Sequence, residues 1–413
     1  MSLERVVVTG LGVVSCIGQE PRSFWESLVA GRSGIDRITA FDPAPYPTQI
    51  AAEVRDFAID GKAAKRMDRF SQFAVASAQQ AMDMAGLGSE TERAGMDPTR
   101  IGVALGTGIG GVPFLFREHE KFLQRGLKGF HPLTVPVVIS NMAAANVSMQ
   151  MQLLGPNLCI STACATGNHN IAAALDLIRL GRADVMVAGS TESTIAPFAL
   201  SGYLQLRALS TRNDAPQQAS RPFSLHRDGF VLGEGAGVLV LESLRHARAR
   251  GATILAEVLG AGQSADGYHL TAPHPEGRGA VAAMQQALAD AGLNPAQVSY
   301  INAHGTSTPL NDALETQAIK TVFGEAARQI PVSSIKSMVG HSLGAAAGIE
   351  AVACVLAIQH GVIPPTINLN EPDPELDLDY VPHSAREAEL TSVVSNAFAF
   401  GGQNAVVVFG RHT

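Results

Sequence analysis

Charge is scarce in this sequence. Asp, Glu, Lys and Arg together make up 16% of its 413 residues, and lysine is limited to Lys62, Lys65, Lys121, Lys128, Lys320 and Lys336. With 30 Lys and Arg against 37 Asp and Glu, the formal net charge is −7. Such a chain lacks the positive field that non-specific nucleic-acid binding needs. Cysteine is scarce too. Cys16, Cys159, Cys164 and Cys354 are too scattered to staple the fold, and none forms a C-x-x-C pair, which argues against a disulfide framework and a structural zinc site. Their small or apolar neighbours fit reduced thiols in a cytoplasmic protein. Long hydrophobic runs are missing. No stretch reaches the roughly 18 uninterrupted apolar residues of a membrane helix. The nearest, 344–358, carries Glu350 and many small residues, so it reads as a helix buried inside a protein rather than a lipid bilayer. The start, MSLERVVVTGLGVVSCIG, lacks a cationic leader and is broken by Gly10 and Gly12. It reads as a first strand and turn, not a signal peptide.

What is present is apolar residues, 46% of the chain, enough for a large packed core. The length suits two or three units or one fused core. An internal repeat favours two related halves. Residues 74–87 read AVASAQQAMDMAGL and residues 280–293 read AVAAMQQALADAGL, with nine of fourteen positions identical at an offset of 206 residues. Alanine-rich helices share residues through propensity alone. Here, however, each copy is closed by Ala-Gly-Leu and followed by a β-branched run and a Gly-containing turn: Ile101 to Leu105 with Gly106, and Val298 to Asn302 with Gly305. Residues 5–12 open the first half and 256–262 the second, placing the division at 1–255 and 256–413. Strands alternating with helices predict parallel βαβ units in a layered α/β fold. The polar stretch 213–227 reads as a long surface loop.

Three residues stand where a strand gives way to a turn. Cys164, in Ser161-Thr-Ala-Cys-Ala-Thr-Gly167, precedes a helix pattern. There the dipole and free backbone N–H groups favour a thiolate and an oxyanion, and small neighbours leave room for a substrate. A buried filler is the ordinary fate of a free cysteine, and Cys16, Cys159 and Cys354 receive that reading. His304, in Asn302-Ala-His-Gly-Thr-Ser-Thr308, has the hydroxyls of Thr306 and Thr308 beside it. His341, in Lys336-Ser-Met-Val-Gly-His341, lies before a second small-residue helix. Junctions of this kind gather at one end of a parallel sheet. A metal on His304 and His341 is the weaker alternative, since no local ligand spacing supports it. His269 and His274 lie in a loop near a possible site mouth and receive no role. The remaining histidines, such as His119 and His412, read as solvated. Residues 396–404, Asn-Ala-Phe-Ala-Phe-Gly-Gly-Gln-Asn, read both as a turn between strands and as a mobile loop hinged at Phe400. Lys62, Lys65, Arg66 and Arg69, spaced i, i+3, i+4, i+7, share a face if helical. In an acidic chain, that face is either solvated or a dock for an acidic partner.

These motifs, in this order, resemble the β-ketoacyl-acyl carrier protein synthases of the thiolase-like superfamily, especially the elongating members of bacterial fatty acid synthesis. The resemblance covers nearly the whole chain. It adds Ala208-Leu-Ser-Thr-Arg-Asn213, Arg227-Asp-Gly-Phe-Val-Leu-Gly-Glu-Gly235 and Phe400-Gly-Gly402 to the motifs above. It implies a duplicated five-layered α/β/α/β/α sandwich, a cytoplasmic homodimer and no cofactor or metal. Cys164 would take an acyl chain from acyl carrier protein as a thioester. His304 and His341 would act on malonyl-acyl carrier protein, giving a 3-oxoacyl product and CO₂. The N–H groups of Cys164 and Phe400 would form the oxyanion hole, and Phe400, Gly401 and Gly402 the gate. Lys336, paired with Glu350, would orient the site, and Thr306 and Thr308 would contact the phosphopantetheine arm. Lys62, Lys65, Arg66, Arg69 and Arg207 would hold the acidic carrier protein. Many relatives have Gly and Thr where this chain has Ala399 and Gln403, which leaves gate motion and chain length open. Three other readings remain: a polyketide ketosynthase, a CoA thiolase and a non-catalytic chain-length partner. Against the thiolase, residues 400–404 hold no second cysteine. Against the partner, Cys164, His304 and His341 are all present.

Overall fold

The computed structural model describes residues 3–59, 61 and 64–413. The ten-stranded sheet takes five strands from the first half: β1 (Val6–Val14), β2 (Ile101–Gly106), β3 (Asn157–Leu158), β4 (Val185–Glu192) and β5 (Gly235–Ser243). Five belong to the second: β6 (Ala256–Ala265), β7 (Tyr300–Asn302), β8 (Val332–Ser333), β9 (Ser392–Phe398) and β10 (Gln403–Gly410). They hydrogen-bond in the order β8-β7-β9-β10-β6-β1-β5-β4-β2-β3. From its outer edge inward, each half runs third, second, fourth, fifth, first. In each, the two outer pairings are parallel and the two inner ones antiparallel. The halves join where Val6, Val7 and Val8 pair with Val258, Glu257 and Ala256. The duplication suggested by one helix therefore extends to the whole strand topology.

The repeated helices are α1 (Arg69–Met84) and α3 (Arg278–Ala291). Their alanines have a packing cause beyond propensity. A Cβ on Gly12 of β1 would lie 1.8 Å from the Ser77 carbonyl of α1, and one on Gly262 of β6 would lie 2.1 Å from the Ala283 carbonyl of α3. Helix backbone rests directly on strand backbone in both halves, so neither surface has room for larger side chains. Helix α4 (Pro309–Phe323) packs beside α3.

Between the two half-sheets lie α2 (Thr166–Arg179) and α5 (Ala346–His360), packed against each other. This completes the expected five-layered α/β/α/β/α sandwich. Every residue of α5 from Ala346 to Ile358 is buried, which requires an apolar surface all round. The same helix is the one long and apolar enough to cross a membrane among the described residues. Here protein covers it. The two helices approach closely at Gly167 and Gly348, where a Cβ on Gly167 would lie 2.3 Å from the Gly348 nitrogen; a Cβ on Gly348 would meet the sheet instead, 2.5 Å from the Gly237 carbonyl of β5.

Two expectations need correction. Residues 62–69 do not form one basic helical face. Lys62 lies outside the described residues. Ala64–Arg66 form a separate 3₁₀ turn, and Asp68 caps the start of α1 by accepting from the Arg69 N–H. Lys65 and Arg66 are exposed. Arg69 turns inward, donating to Glu234 and to the Val54 carbonyl with its guanidinium 4.7 Å from the Phe73 ring centroid. The stretch 213–227 is likewise only partly a surface loop, because Ala219 to Ser224 are buried. Phe223 stacks on Tyr380 at 3.9 Å, and its N–H donates to the buried Asp312. The hydrogen bonds of that segment are met by partners 89 residues away in sequence, so local polarity could not reveal its burial.

The helix contact makes a quantitative expectation. Gly167→Ala should lower unfolding stability by about 1–3 kcal/mol through overpacking, read as a lower urea midpoint. Gly202→Ala, in the helix Pro197–Gln205 with open space around it, should be neutral or gain about 0.5–1 kcal/mol from helix propensity. Equal midpoints for the two variants would contradict the close-contact account.

Candidate active site

The chain leading to Cys164 leaves the edge strand β3 and turns sharply. Ala163 has φ +47°, a left-handed conformation that costs an L-residue about 1–2 kcal/mol. Ala163–Ala165 then form a 3₁₀ turn running directly into α2. The second half repeats the device: Leu343 has φ +50°, and Leu343–Ala345 run into α5. Gly344 thus occupies in the second half the place of Cys164 in the first.

The three candidates meet. Cys164, His304 and His341 are each buried, and one donor atom from each lies within 4.8 Å of the others. His341 Nε2 is 3.0 Å from Cys164 Sγ. The two imidazoles meet edge to face at 5.3 Å between centroids. Phe230 stands edge-on to His341 and Phe398 to His304, so aromatic rings sleeve both histidines. Glu315 fixes the backbone at His304 by accepting from the N–H groups of His304 (2.8 Å) and Gly305 (2.7 Å). His341 is fixed by its N–H to the Val231 carbonyl at 2.7 Å. All of this surrounds a cavity of ≈ 410 Å³ whose walls include Cys164, His304, His341, Thr306, Thr308 and Phe400.

Electrostatics sets the protonation states. Lys336 and Glu350 form a wholly buried ion pair. Burial, and then the Lys336 charge, hold His304 and His341 well below the usual histidine range, so both are neutral. The carboxyl of Glu350 is raised to about 7 by burial, against the pull of Lys336. Cys164 corrects the expectation of a thiolate at a helix N-terminus: burial pushes its thiol up to about 11, outweighing Lys336 and the N–H groups of Phe400 and Cys164 aimed at the sulfur. The resting sulfur keeps its proton beside an imidazole. Nδ1 of His304 and Nδ1 of His341 have no hydrogen-bond partner among the described residues, so neither tautomer is pinned.

One thiol and two imidazoles are also a soft donor set that suits zinc. The ammonium of Lys336, whose charge is felt at all three groups, opposes a second cation there.

Comparison with known proteins decides the family. The model described as "Beta-ketoacyl synthase, N-terminal domain" matches residues 3–247, and that described as "Beta-ketoacyl synthase, C-terminal domain" matches residues 255–370. The chain belongs to the β-ketoacyl synthase family. It is a condensing acyltransferase. The synthase is 50% identical to a 3-oxoacyl-[acyl-carrier-protein] synthase 2 of Coxiella burnetii, over 100% of this chain and 99% of that one. It is 48% identical to one of Synechocystis, over 99% and 98%. Among solved structures, a β-ketoacyl synthase from Burkholderia phymatum superposes with a TM-score of 0.91 at 37% identity, covering 100% of both chains. A type II polyketide synthase acyl-carrier protein in complex with its ketosynthase bound to the hexaketide matches with TM-score 0.93 at 35% identity, again covering 100% of both.

The other expected residues of the synthase divide. Thr306 and Thr308 face each other, hydroxyl to hydroxyl, at 2.9 Å on the cavity wall. Gly401 and Gly402 take φ +85° and +71° after Phe400. Ala399 does not take a positive φ, so alanine there carries no strain. Gly401 N–H donates to the Leu270 carbonyl, tying the gate segment to the loop that carries His269 and His274. Arg207 lines the cavity and is exposed. His169 is not solvated as expected for the remaining histidines. It is buried in α2, with Nδ1 2.9 Å from Thr162 Oγ1 beside the nucleophile turn. Sequence reasoning passed over Glu192, Phe230 and Glu315. The available signal was a lone acidic residue ending an otherwise uncharged strand, 185–192.

The neutral imidazoles are testable. Nitrogen NMR of labelled histidine should find His304 and His341 uncharged at pH 6. Removing one member of the Lys336–Glu350 pair would cost about 3–5 kcal/mol, whereas replacing both with apolar residues is close to neutral. In Lys336→Met/Glu350→Leu, the chain should therefore stay folded while both imidazole pKa values rise. Titration near 6.5 in the unaltered chain, or no change in the double variant, would refute the account.

Proposed function

We propose that the synthase carries an acyl group as a thioester on Cys164 and condenses it with malonyl-acyl carrier protein, releasing CO₂ and a 3-oxoacyl-acyl carrier protein two carbons longer, in fatty acid elongation. The observation that carries this reading is the meeting of one thiol and two neutral imidazoles within 4.8 Å, with His341 Nε2 3.0 Å from the sulfur. In the first half-reaction, the Cys164 proton moves to His341 Nε2 as sulfur attacks the acyl thioester. The N–H groups of Cys164 and Phe400 hold the oxyanion, and the departing phosphopantetheine sulfur takes the proton. In the second, the malonyl C–C bond breaks and its electrons move onto the thioester oxygen. Neutral His304 and His341, donating N–H, stabilise that enolate without the cost of protonating it first. The enolate carbon attacks the acyl-Cys164 carbonyl, the C–S bond breaks, and the thiol is restored by a proton. The aromatic sleeve keeps water from the carbanion. Lys336 acts through its charge on the imidazoles, Glu350 supports Lys336, and Thr306 and Thr308 contact the phosphopantetheine arm. Phe400, Gly401 and Gly402 form the gate.

On this reading the two units are 1–255, with the nucleophile, and 256–413, with both histidines, in a cytoplasmic homodimer. Support for the dimer comes from the outer edge of β3, unpaired within the chain, and from exposed apolar side chains nearby in sequence: Leu127, Val135, Ile139 and Leu158. The carrier protein docks on Lys62, Lys65, Arg66 and Arg207. Arg69 is held by Glu234 rather than extended toward the partner. A specialised-pathway substrate is a second reading, favoured by the structural likeness to the hexaketide-bound ketosynthase.

Mass spectrometry after incubation with acyl-acyl carrier protein should find one acyl group on the chain and none on Cys164→Ala; acylation of that variant would overturn the assignment. Arg207→Glu should raise KM for acyl-acyl carrier protein at least tenfold while leaving turnover of a short acyl-pantetheine thioester within twofold. Equal losses with both substrates would remove Arg207 from the docking surface.

A further inference from the structure

Glu192 ends β4 with its side chain wholly buried on the wall of the Cys164 cavity, and no step above uses it. Its carboxylate is fully engaged by two segments. Oε1 accepts from Thr107 Oγ1 at 2.9 Å, and Oε2 accepts from the N–H of Gly108 at 2.7 Å and of Gly344 at 3.3 Å. The first segment, 107–109, follows β2 and puts Ile109 on the cavity wall. The second, Gly344, is the head of α5, three residues after His341. Neither glycine leaves room for a side chain: a Cβ on Gly108 would lie 2.4 Å from Oε2, and one on Gly344 would lie 2.3 Å from the Gly108 nitrogen and 2.6 Å from Oε2. Burial raises the Glu192 carboxyl to about 7, against the hydrogen bonds from Thr107, Gly108 and Gly344 and the positive end of α5.

We propose that Glu192 is a positioning residue that ties the Gly108–Ile109 wall to the head of α5 and thereby sets how long an acyl chain the cavity accepts. The Gly108 and Gly344 N–H groups can only donate, so a Gln amide keeps them only by turning its N–H₂ toward Thr107 Oγ1, reversing a hydroxyl that already accepts from the Gly110 N–H. Once any of these hydrogen bonds is broken, the wall at Ile109 is free to shift relative to Cys164, whose turn runs directly into α2 and meets this wall through the Ser161 hydroxyl on the Gly108 carbonyl at 3.0 Å.

The inference rests on the proposed acyl substrate, so the experiment tests the two separately. Unaltered chain, Glu192→Gln, Thr107→Val and Thr107→Ser are assayed with acyl-acyl carrier proteins of 6 to 16 carbons and malonyl-acyl carrier protein. Alkylation of Cys164 by iodoacetamide is followed in parallel. In Glu192→Gln and Thr107→Val, the ratio of long-chain to short-chain kcat/KM should change at least fivefold in the same direction, with alkylation of Thr107→Val, which keeps the Glu192 charge, within twofold. Thr107→Ser, which keeps the hydroxyl, should restore the unaltered ratio. A purely structural role would lower all chain lengths and alkylation together, and that result, or an unchanged ratio in both variants, overturns the inference. If Glu192→Gln fails to fold, the contrast between Thr107→Val and Thr107→Ser decides. An unaltered chain that condenses none of the substrates would instead overturn the proposed function.

Discussion

The close approach of α2 and α5 at Gly167 and Gly348 is the contact on which the site depends. Each helix brings its own N-terminal turn to the centre of the molecule, and each turn begins with a non-glycine residue at positive φ, Ala163 or Leu343. Backbone-to-backbone contact fixes the relative height of the two helices more tightly than interdigitated side chains would, because no rotamer change can relieve it. Cys164 at one helix head and the His341 loop at the other are registered by that contact. The residues binding substrate can vary around it, whereas the distance between sulfur and imidazole follows from the helix pair.

Around that frame, the site works by keeping charge in one place. The ion pair of Lys336 and Glu350 lies wholly out of water, where such pairs contribute little net stability. Its value is electrostatic: the Lys336 charge depresses both imidazoles and partly offsets the burial that raises the thiol. A neutral imidazole can serve as acceptor toward the sulfur and as donor toward an enolate, and the unpinned Nδ1 atoms leave both uses open. Burial alone would also hold the histidines neutral, but it would leave the sulfur with nothing opposing its rise.

Much of this was legible in the sequence, and the reasons are local. Cys164, His304 and His341 each sit where a β-branched run gives way to small residues, and that pattern marks the end of a parallel strand. The repeat at 74–87 and 280–293 was visible because contact with a glycine-bearing strand constrains every turn of the helix. What escaped notice depends on partners far away in the chain. Glu192 meets Thr107 and Gly344 at separations of 85 and 152 residues. Arg69 seemed to belong to an exposed basic face because its spacing fits one; Glu234, 165 residues away, draws it inward. Burial of the 219–224 segment was hidden in the same way, by Tyr380 and Asp312. The thiol was misjudged for a different reason: the helix dipole can be read from sequence, but the depth at which the sulfur is buried cannot.

The duplicated turn at Leu343 to Ala345 has a consequence for how the two halves can change. Where the first copy presents a sulfur, the second presents a hydrogen atom, and the vacated helix terminus holds a carboxylate of the first copy instead. The molecule is therefore asymmetric in chemistry while remaining symmetric in architecture. One copy is bound to its reactive atom; the other, relieved of that duty, has become the mould against which the first copy's cargo is measured.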